Sequence, residues 1–334
     1  MLFETHDSAS EAEQLAEKMA ALIAASKLDT QNRVGSDVDQ ADGLRRLLVR
    51  NQTQVITLVA GKGGVGRTSV TLNLAAAMSI AGKDVLVLDE NPAPHNLTDS
   101  LGLFARYDLL DVAQGRCTLN DAILRAKGYA VLPTARAMHA LDKLNLTEQT
   151  CLENALSEAS NGVDVMLVDA AMLVGQAAVS SSLASGVRLL VVMEATTSGI
   201  TESYSLIKRL ALENARLRFE VVVNKVADET VARLAFGNME KVAKSNLAAR
   251  LEYLGCIALD DRLKRSTQLG RSVVDAYPAA DSAKSYMALS QSVLRTTMQQ
   301  DEMEGGIAQM MKNLIQQLAR QRSSEQRPSL LISR

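Results

Sequence analysis

The chain has 334 residues, 47% of them hydrophobic, with Lys+Arg 36 against Asp+Glu 38, enough for one large α/β core with appendages at roughly 150 residues per domain. A net charge of −2 gives no general pull toward nucleic acid, and 3% aromatics with no Trp speak against a base-stacking RNA binder. Cys117, Cys151 and Cys256 form no CxxC pair, no apolar run spans a bilayer and the acidic N-terminus has no secretory core, so a cytoplasmic protein without disulfides or zinc is expected.

In chain order, residues 7–28 read as a helix, with Ser8 and Ser10 each three residues before a Glu. A polar stretch leads to a second short helix, Asp39–Arg50, amphipathic through Leu44, Leu47 and Leu48. Six apolar, β-branched runs follow: Val55–Ala60, Val85–Asp89, Val163–Asp169, Val187–Met193, Phe219–Asn224 and Leu251–Ile257. Continuous rather than alternating apolarity means both faces of these strands are covered, as in a parallel sheet between helices. Helical patterns over Thr68–Ala81, Ile200–Asn214 and Thr230–Arg250 supply crossovers. The fold expected is a doubly wound, mainly parallel α/β domain over 51–298. An N-terminal helical arm (1–50) and a C-terminal segment (303–334) flank it.

In that last segment Gly305-Gly306 precedes a helix whose Ile307, Met310, Met311, Leu314, Ile315 and Leu318 form one apolar stripe. Periodicity serves a membrane surface and a groove of the chain's own domain equally well. A polar tail, Gln321–Arg334, follows.

The chemistry concentrates where the first strand meets its helix, VITLVAGKGGVGRTSVTLNL. Gly61, Gly63 and Gly66 satisfy the dinucleotide fingerprint GxGxxG. Gly61, Gly66, Arg67 and Thr68 equally satisfy a phosphate loop with arginine in the lysine position. In such a loop backbone N–H groups close around the phosphates, a cation sits on their oxygens and the hydroxyl takes Mg²⁺. The phosphate loop is favoured: Thr68 supplies the hydroxyl, Lys62 adds a second cation and Asp169 ends a later strand where a Walker B carboxylate belongs. A guanine reader would want NKxD, but Ala227 stands where that aspartate would be, so ATP is favoured over GTP.

Lys62-Gly63-Gly64-Val65-Gly66-Arg67-Thr68 resembles the deviant Walker A motif of the MinD/ParA ATPases, which an early lysine defines. Asp39-Gln40-Ala41-Asp42-Gly43-Leu44-Arg45 is similar to the DQAxxLR heptad of the flagellar number regulators FlhG, also called FleN, within that family. VVMEATTSGITESYSLIKRLA, VVVNK, LEYLGCIALDD and DAYPAADSAKSY extend the resemblance over about residues 38–298.

The resemblance implies an ATP-dependent homodimer in which Lys62 reaches the partner's phosphates as a catalytic lysine, delivering charge only once the dimer has formed. The nucleotide would lie on Gly61, Lys62, Gly63, Gly64, Val65, Gly66, Arg67, Thr68 and Ser69, with Asn224 at the adenine. Mg²⁺ would take Thr68, with Asp89 and Asp169 holding its waters. Asp39, Gln40, Ala41, Leu44 and Arg45 would bind the signal-recognition-type GTPase FlhF and stimulate it. A flagellar transcriptional activator, flagellar switch components and peripheral contact with the inner membrane are the further partners implied; no specific nucleic acid is expected.

Three positions depart from the family. Arg67 replaces the loop lysine, exchanging a compact ammonium for a planar fork. Asn91 replaces the aspartate that orients the attacking water, and an amide cannot take that water's proton as an anion does. Leu173 replaces a glycine of the second switch. Slow or absent ATP hydrolysis with retained binding is therefore expected. The competing reading is a working MinD/ParA ATPase that positions another cargo.

Overall fold

The computed structural model describes residues 53–94, 96–171, 187–213, 218–247 and 249–295. The heptad residues Asp39, Gln40, Ala41, Leu44 and Arg45, His95 and the second-switch Leu173 lie outside the described residues, as does the stripe from Ile307 to Leu318.

Strand β1 (Gln54–Ala60) runs through the glycine loop into α1 (Arg67–Ile80) and β2 (Val85–Asp89). Three short helices follow, α2 (Leu97–Ser100), α3 (Leu109–Ala113) and α4 (Leu119–Ala122), then β3 (Leu124–Arg125), β4 (Ala130–Pro133), α5 (Ala135–His139) and α6 (Leu146–Ala159). The second half alternates: β5 (Val165–Asp169), β6 (Arg188–Glu194), α7 (Thr197–Glu213), β7 (Arg218–Val226), α8 (Glu229–Asn246) and β8 (Arg250–Ala258). Helices α9 (Asp261–Gln268), α10 (Val273–Ala276) and α11 (Asp281–Arg295) complete the described chain.

The eight strands form one sheet in the order β3-β4-β2-β5-β1-β6-β7-β8, parallel except for the β3–β4 pair. The six strands read from the sequence are all present, Val85–Asp89 with the expected ends. The reading missed β3, of two residues, and β4, whose four residues lie between a left-handed Gly128 and the proline that ends them; such short runs carry little periodicity. The crossover helices also match, α7 beginning three residues earlier than expected and α8 ending at Asn246 rather than Arg250.

Both faces of the sheet are covered, which is why β2 and β5 are buried at every position. On one face α1 and α11 pack over Leu58, Val87, Leu167 and Val222, with Tyr286 and Leu289 of α11 in the same core. On the other, α3 and α6 cover Leu86, Leu88 and Met166, while α7 and α8 cover Val191, Val221 and Val223. Helix α1 is buried on most of its circumference, so small residues (Ala75, Ala76, Ala77) let it fit between sheet and α11. Among the described residues no helix is long and apolar enough to cross a membrane.

The strand order positions the site. The chain leaves β1 for β2 and skips a slot, which β5 fills, while β6 returns on the far side of β1. A crevice therefore opens beyond the carboxyl end of β1, where ligands settle in open α/β sheets. Register then brings Asp169 level with both Leu58 and Asp89, and Glu194 level with Asn224.

Candidate functional site

The loop after β1 is shaped by close approach. A Cβ on Gly61 would lie 2.3 Å from the Glu202 carbonyl oxygen of α7, so only glycine lets that helix rest on the start of the loop. Gly66 has φ 91°, and a Cβ there would stand 2.5 Å from Asn224 Nδ2. Gly66 also opens α1 without a side-chain cap, and the first turn of that helix carries no acidic residue. The N–H groups of that turn are therefore left to an anion.

Asn224, buried at the end of β7, donates from Nδ2 to the Val65 carbonyl at 2.7 Å and accepts from Lys225 N at 3.0 Å. It locks the loop through its backbone. Lys225 sits at φ 58° and its Nζ donates to the Gly64 carbonyl at 2.6 Å and to Glu194 Oε1 at 2.7 Å. Lys62 meets the same carboxylate at 3.4 Å and donates to Ser198 Oγ at 3.3 Å. The hydrogen bond from Lys225, followed by Lys62, holds the Glu194 carboxyl below its usual range despite partial burial. The sequence reading missed Glu194 and Lys225. The signal available was a charged residue at the carboxyl end of each buried strand, in VVME and VVVNK.

On the other side of the loop lie the five remaining expected groups, Arg67, Thr68, Asp89, Asn91 and Asp169. Arg67 is buried; its Nε donates to Asp169 Oδ1 at 2.7 Å and its Nη2 to Asn91 Oδ1. Thr68 Oγ1 donates to Asp169 Oδ2 at 2.7 Å, and Thr71 Oγ1 reaches Oδ1 at 3.3 Å. Asn91 Nδ2 donates to the Asp169 carbonyl at 2.9 Å and to Oδ2 at 2.8 Å. Asp89 accepts from the backbone N–H of Asn91 at 3.2 Å, of Leu97 at 2.9 Å and of Thr98 at 3.3 Å. Burial, and then the Asp169 charge, push its carboxyl up to about 7.

The structure thus brings Lys62, Arg67, Thr68, Asp89, Asn91, Asp169 and Asn224 around one loop. Their present bonds differ from the expected ones in two respects. Lys62 pairs with a carboxylate of its own chain, and the amide of Asn224 holds the loop. Among the described residues no group of three or more His, Cys, Asp or Glu is placed to hold a metal.

A family model described as an AAA domain matches residues 53–219. The antiactivator FleN of Pseudomonas aeruginosa is 35% identical over 241 residues, covering 72% of this chain and 86% of FleN. The flagellum site-determining protein YlxH of Helicobacter pylori is 28% identical over 222 residues, 65% of this chain and 73% of YlxH. Among solved structures, the MinC:MinD cell division protein complex of Aquifex aeolicus matches with a TM-score of 0.57 at 25% identity, covering 74% of this chain and 98% of that one. A loop between β1 and α1 with an early lysine, carboxylates at the ends of β2 and β5, and these relatives agree: the chain belongs to the FleN/FlhG branch of the MinD/ParA family of P-loop ATPases.

Proposed function

We propose that the chain is an ATP-binding regulator of flagellar number or placement, a nucleotide-dependent dimer switch with slow or absent hydrolysis. One observation carries the nucleotide part. An uncapped helix N-terminus opens behind a glycine loop held by Asn224 and Lys225, with the Arg67 cation at its base. Backbone N–H groups and a guanidinium directed at one crevice form a receptor for phosphate oxygens.

Binding falls to Gly61–Ser69, and Asn224 keeps the loop in shape for it. The adenine role of Asn224 draws on what its amide retains: one of two N–H bonds donates to Val65, and Oδ1 has a second lone pair beside the Lys225 bond. Lys62 is the dimer-sensing cation. Glu194 holds it at 3.4 Å within one protomer, and a partner's nucleotide competes for it with three or four phosphate charges against one carboxylate.

Hydrolysis is slowed or lost for want of a base at position 91. Asn91 is an amide engaged by Arg67 and Asp169, and both neighbouring carboxylates are engaged by protein donors. No step of a proton transfer from water can be routed through Asn91. This favours the switch over the ATPase that positions another cargo. Thr68, Asp89 and Asp169 would hold Mg²⁺: the Thr68 hydroxyl donates to Asp169 Oδ2 at 2.7 Å and keeps its lone pairs for the cation, while the two carboxylates are acceptors for its waters.

The flagellar part rests on FleN and YlxH and on the Asp39–Arg45 heptad. Asp39, Gln40, Ala41, Leu44 and Arg45 bind an FlhF-type GTPase, Gln40 orienting a water or Arg45 making charge-assisted contacts. A flagellar transcriptional activator and switch components are downstream partners. The stripe Ile307, Met310, Met311, Leu314, Ile315 and Leu318 offers an apolar face to the inner membrane or to the domain, so the chain is cytoplasmic with peripheral contact as its second location. The test is GTP hydrolysis by FlhF with the wild type or with Gln40→Ala/Arg45→Ala. The wild type is expected to stimulate and the variant not to; equal stimulation by both overturns the assignment.

A further inference from the structure

We infer that the cavity between the β3–β4 turn, the residues after α2 and the α9–α10 turn is a second binding site. Its ligand is a small anion with an apolar body, an aryl or acyl carboxylate or phosphate. The inference is independent of the nucleotide reading, since none of the residues around the glycine loop lines this cavity.

The cavity has a volume of about 310 Å³, at the lower end of the range in which proteins hold small ligands. Its walls come from stretches far apart in the chain, and each is fastened to a neighbour. Ser79 Oγ, near the end of α1, donates to the Gly128 carbonyl of the β3–β4 turn. Val273 N–H, at the start of α10, donates to Asn73 Oδ1 of the same helix α1 at 2.7 Å. Gly270, at φ 63°, comes so near the residues after α2 that a Cβ would stand 2.9 Å from the Leu101 carbonyl oxygen. The cavity is therefore preformed, and a ligand entering it need not order its walls.

Its charge is unbalanced. Arg125, Lys127 and Arg271 line it against one carboxylate, Asp275. Asp275 accepts from Lys127 Nζ and, at 2.8 Å, from Arg271 Nε, so one negative charge serves two positive ones. Arg125 makes no ion pair among the described residues and keeps its guanidinium fork for a carboxylate or phosphate. A concave site with an excess of positive charge concentrates anions. The apolar wall is Leu101, Leu103 and the ring of Tyr129. Tyr129 is 7% exposed, burial holds its phenol protonated, and its hydroxyl has no partner among the described residues. Buried polar groups nearly always have one, and a donor left over in this wall suits a ligand oxygen. Phe104, 86% exposed, follows Leu103, and Leu269, 59% exposed, precedes Gly270. Apolar surface beside the cavity favours a ligand with a hydrocarbon body over an inorganic ion.

The test is a fluorine NMR titration of the full chain with para-fluorophenylacetate and para-fluorophenyl phosphate, with neutral para-fluorobenzyl alcohol as control. At least one anion is expected to bind saturably and about tenfold or more tightly than the alcohol, and which one does so tells carboxylate from phosphate. In Arg125→Gln/Lys127→Gln, which alters only exposed side chains, that anion should bind at least about tenfold more weakly. Binding that the variant leaves unchanged would put the anion elsewhere, the glycine loop included, and overturns the inference. So does equal binding of the alcohol, or no binding of either anion up to about 10 mM. Failure of a fluorescent ATP analogue to bind the same preparation would count against the nucleotide reading alone.

Discussion

At the scale of single residues, Asp89 shows what burial does to a carboxylate near charge. It lies at the end of a fully buried strand, and desolvation, reinforced by Asp169, pushes it up to about 7 despite three backbone N–H donors. A carboxyl with a native pKa above its unfolded value holds its proton more tightly when folded. Its stabilising contribution is complete below about pH 4 and is lost as pH rises through about 7. Urea unfolding between pH 5 and pH 8 should therefore show a fall in stability of roughly 2–4 kcal/mol from this group. The fall should shrink in Asp89→Asn. A wild-type slope no steeper than the variant's would refute the account.

Among the elements, β6 and β7 are joined by more than their ladder. Arg188 Nε and Nη2 make a fork on Glu220, at 2.8 to 3.0 Å, while Nη1 donates to the Val293 carbonyl near the end of α11 at 3.0 Å. Both side chains are buried, and desolvation raises the Glu220 carboxyl against the opposing pull of Arg188. Such a pair is costly to break and cheap to replace whole. Arg188→Met leaves a buried carboxylate alone and should cost about 3–5 kcal/mol in denaturant unfolding, with most of it recovered in Arg188→Met/Glu220→Leu. A single variant as stable as the double one would contradict the pairing. The bridge also ties α11, and through it α1, to the strands beside the loop.

At the scale of the whole molecule, the described strands form a sheet whose order opens a crevice at the end of β1. The consequence for chemistry is testable on the intact chain. With Asn91 held by Arg67 and Asp169, single-turnover ATP hydrolysis should run about 10²–10⁴ below that of relatives with an aspartate there. Turnover at the relatives' rate would overturn this and revive the positioning ATPase.

Much of this is legible in the amino-acid sequence. β-branched runs ending in Asp89 and Asp169 announced buried strands with charges at their carboxyl ends, and Gly61–Thr68 announced a loop for phosphates. These are local properties: a strand's burial and a glycine's freedom are written in neighbouring residues. β4 was lost because four residues carry too little pattern. Glu194 and Lys225 were passed over because a charge at a strand end has no meaning until the adjoining strand is known. Sequence alone also showed that residues 67 and 91 depart from the family, but it presented them as two separate defects. Only the fold, by inserting β5 between β1 and β2, brings Asp169 against both and turns them into one hydrogen-bonded clamp. Composition and spacing determine what each group is able to do; which groups satisfy one another is decided by register between strands far apart in the chain.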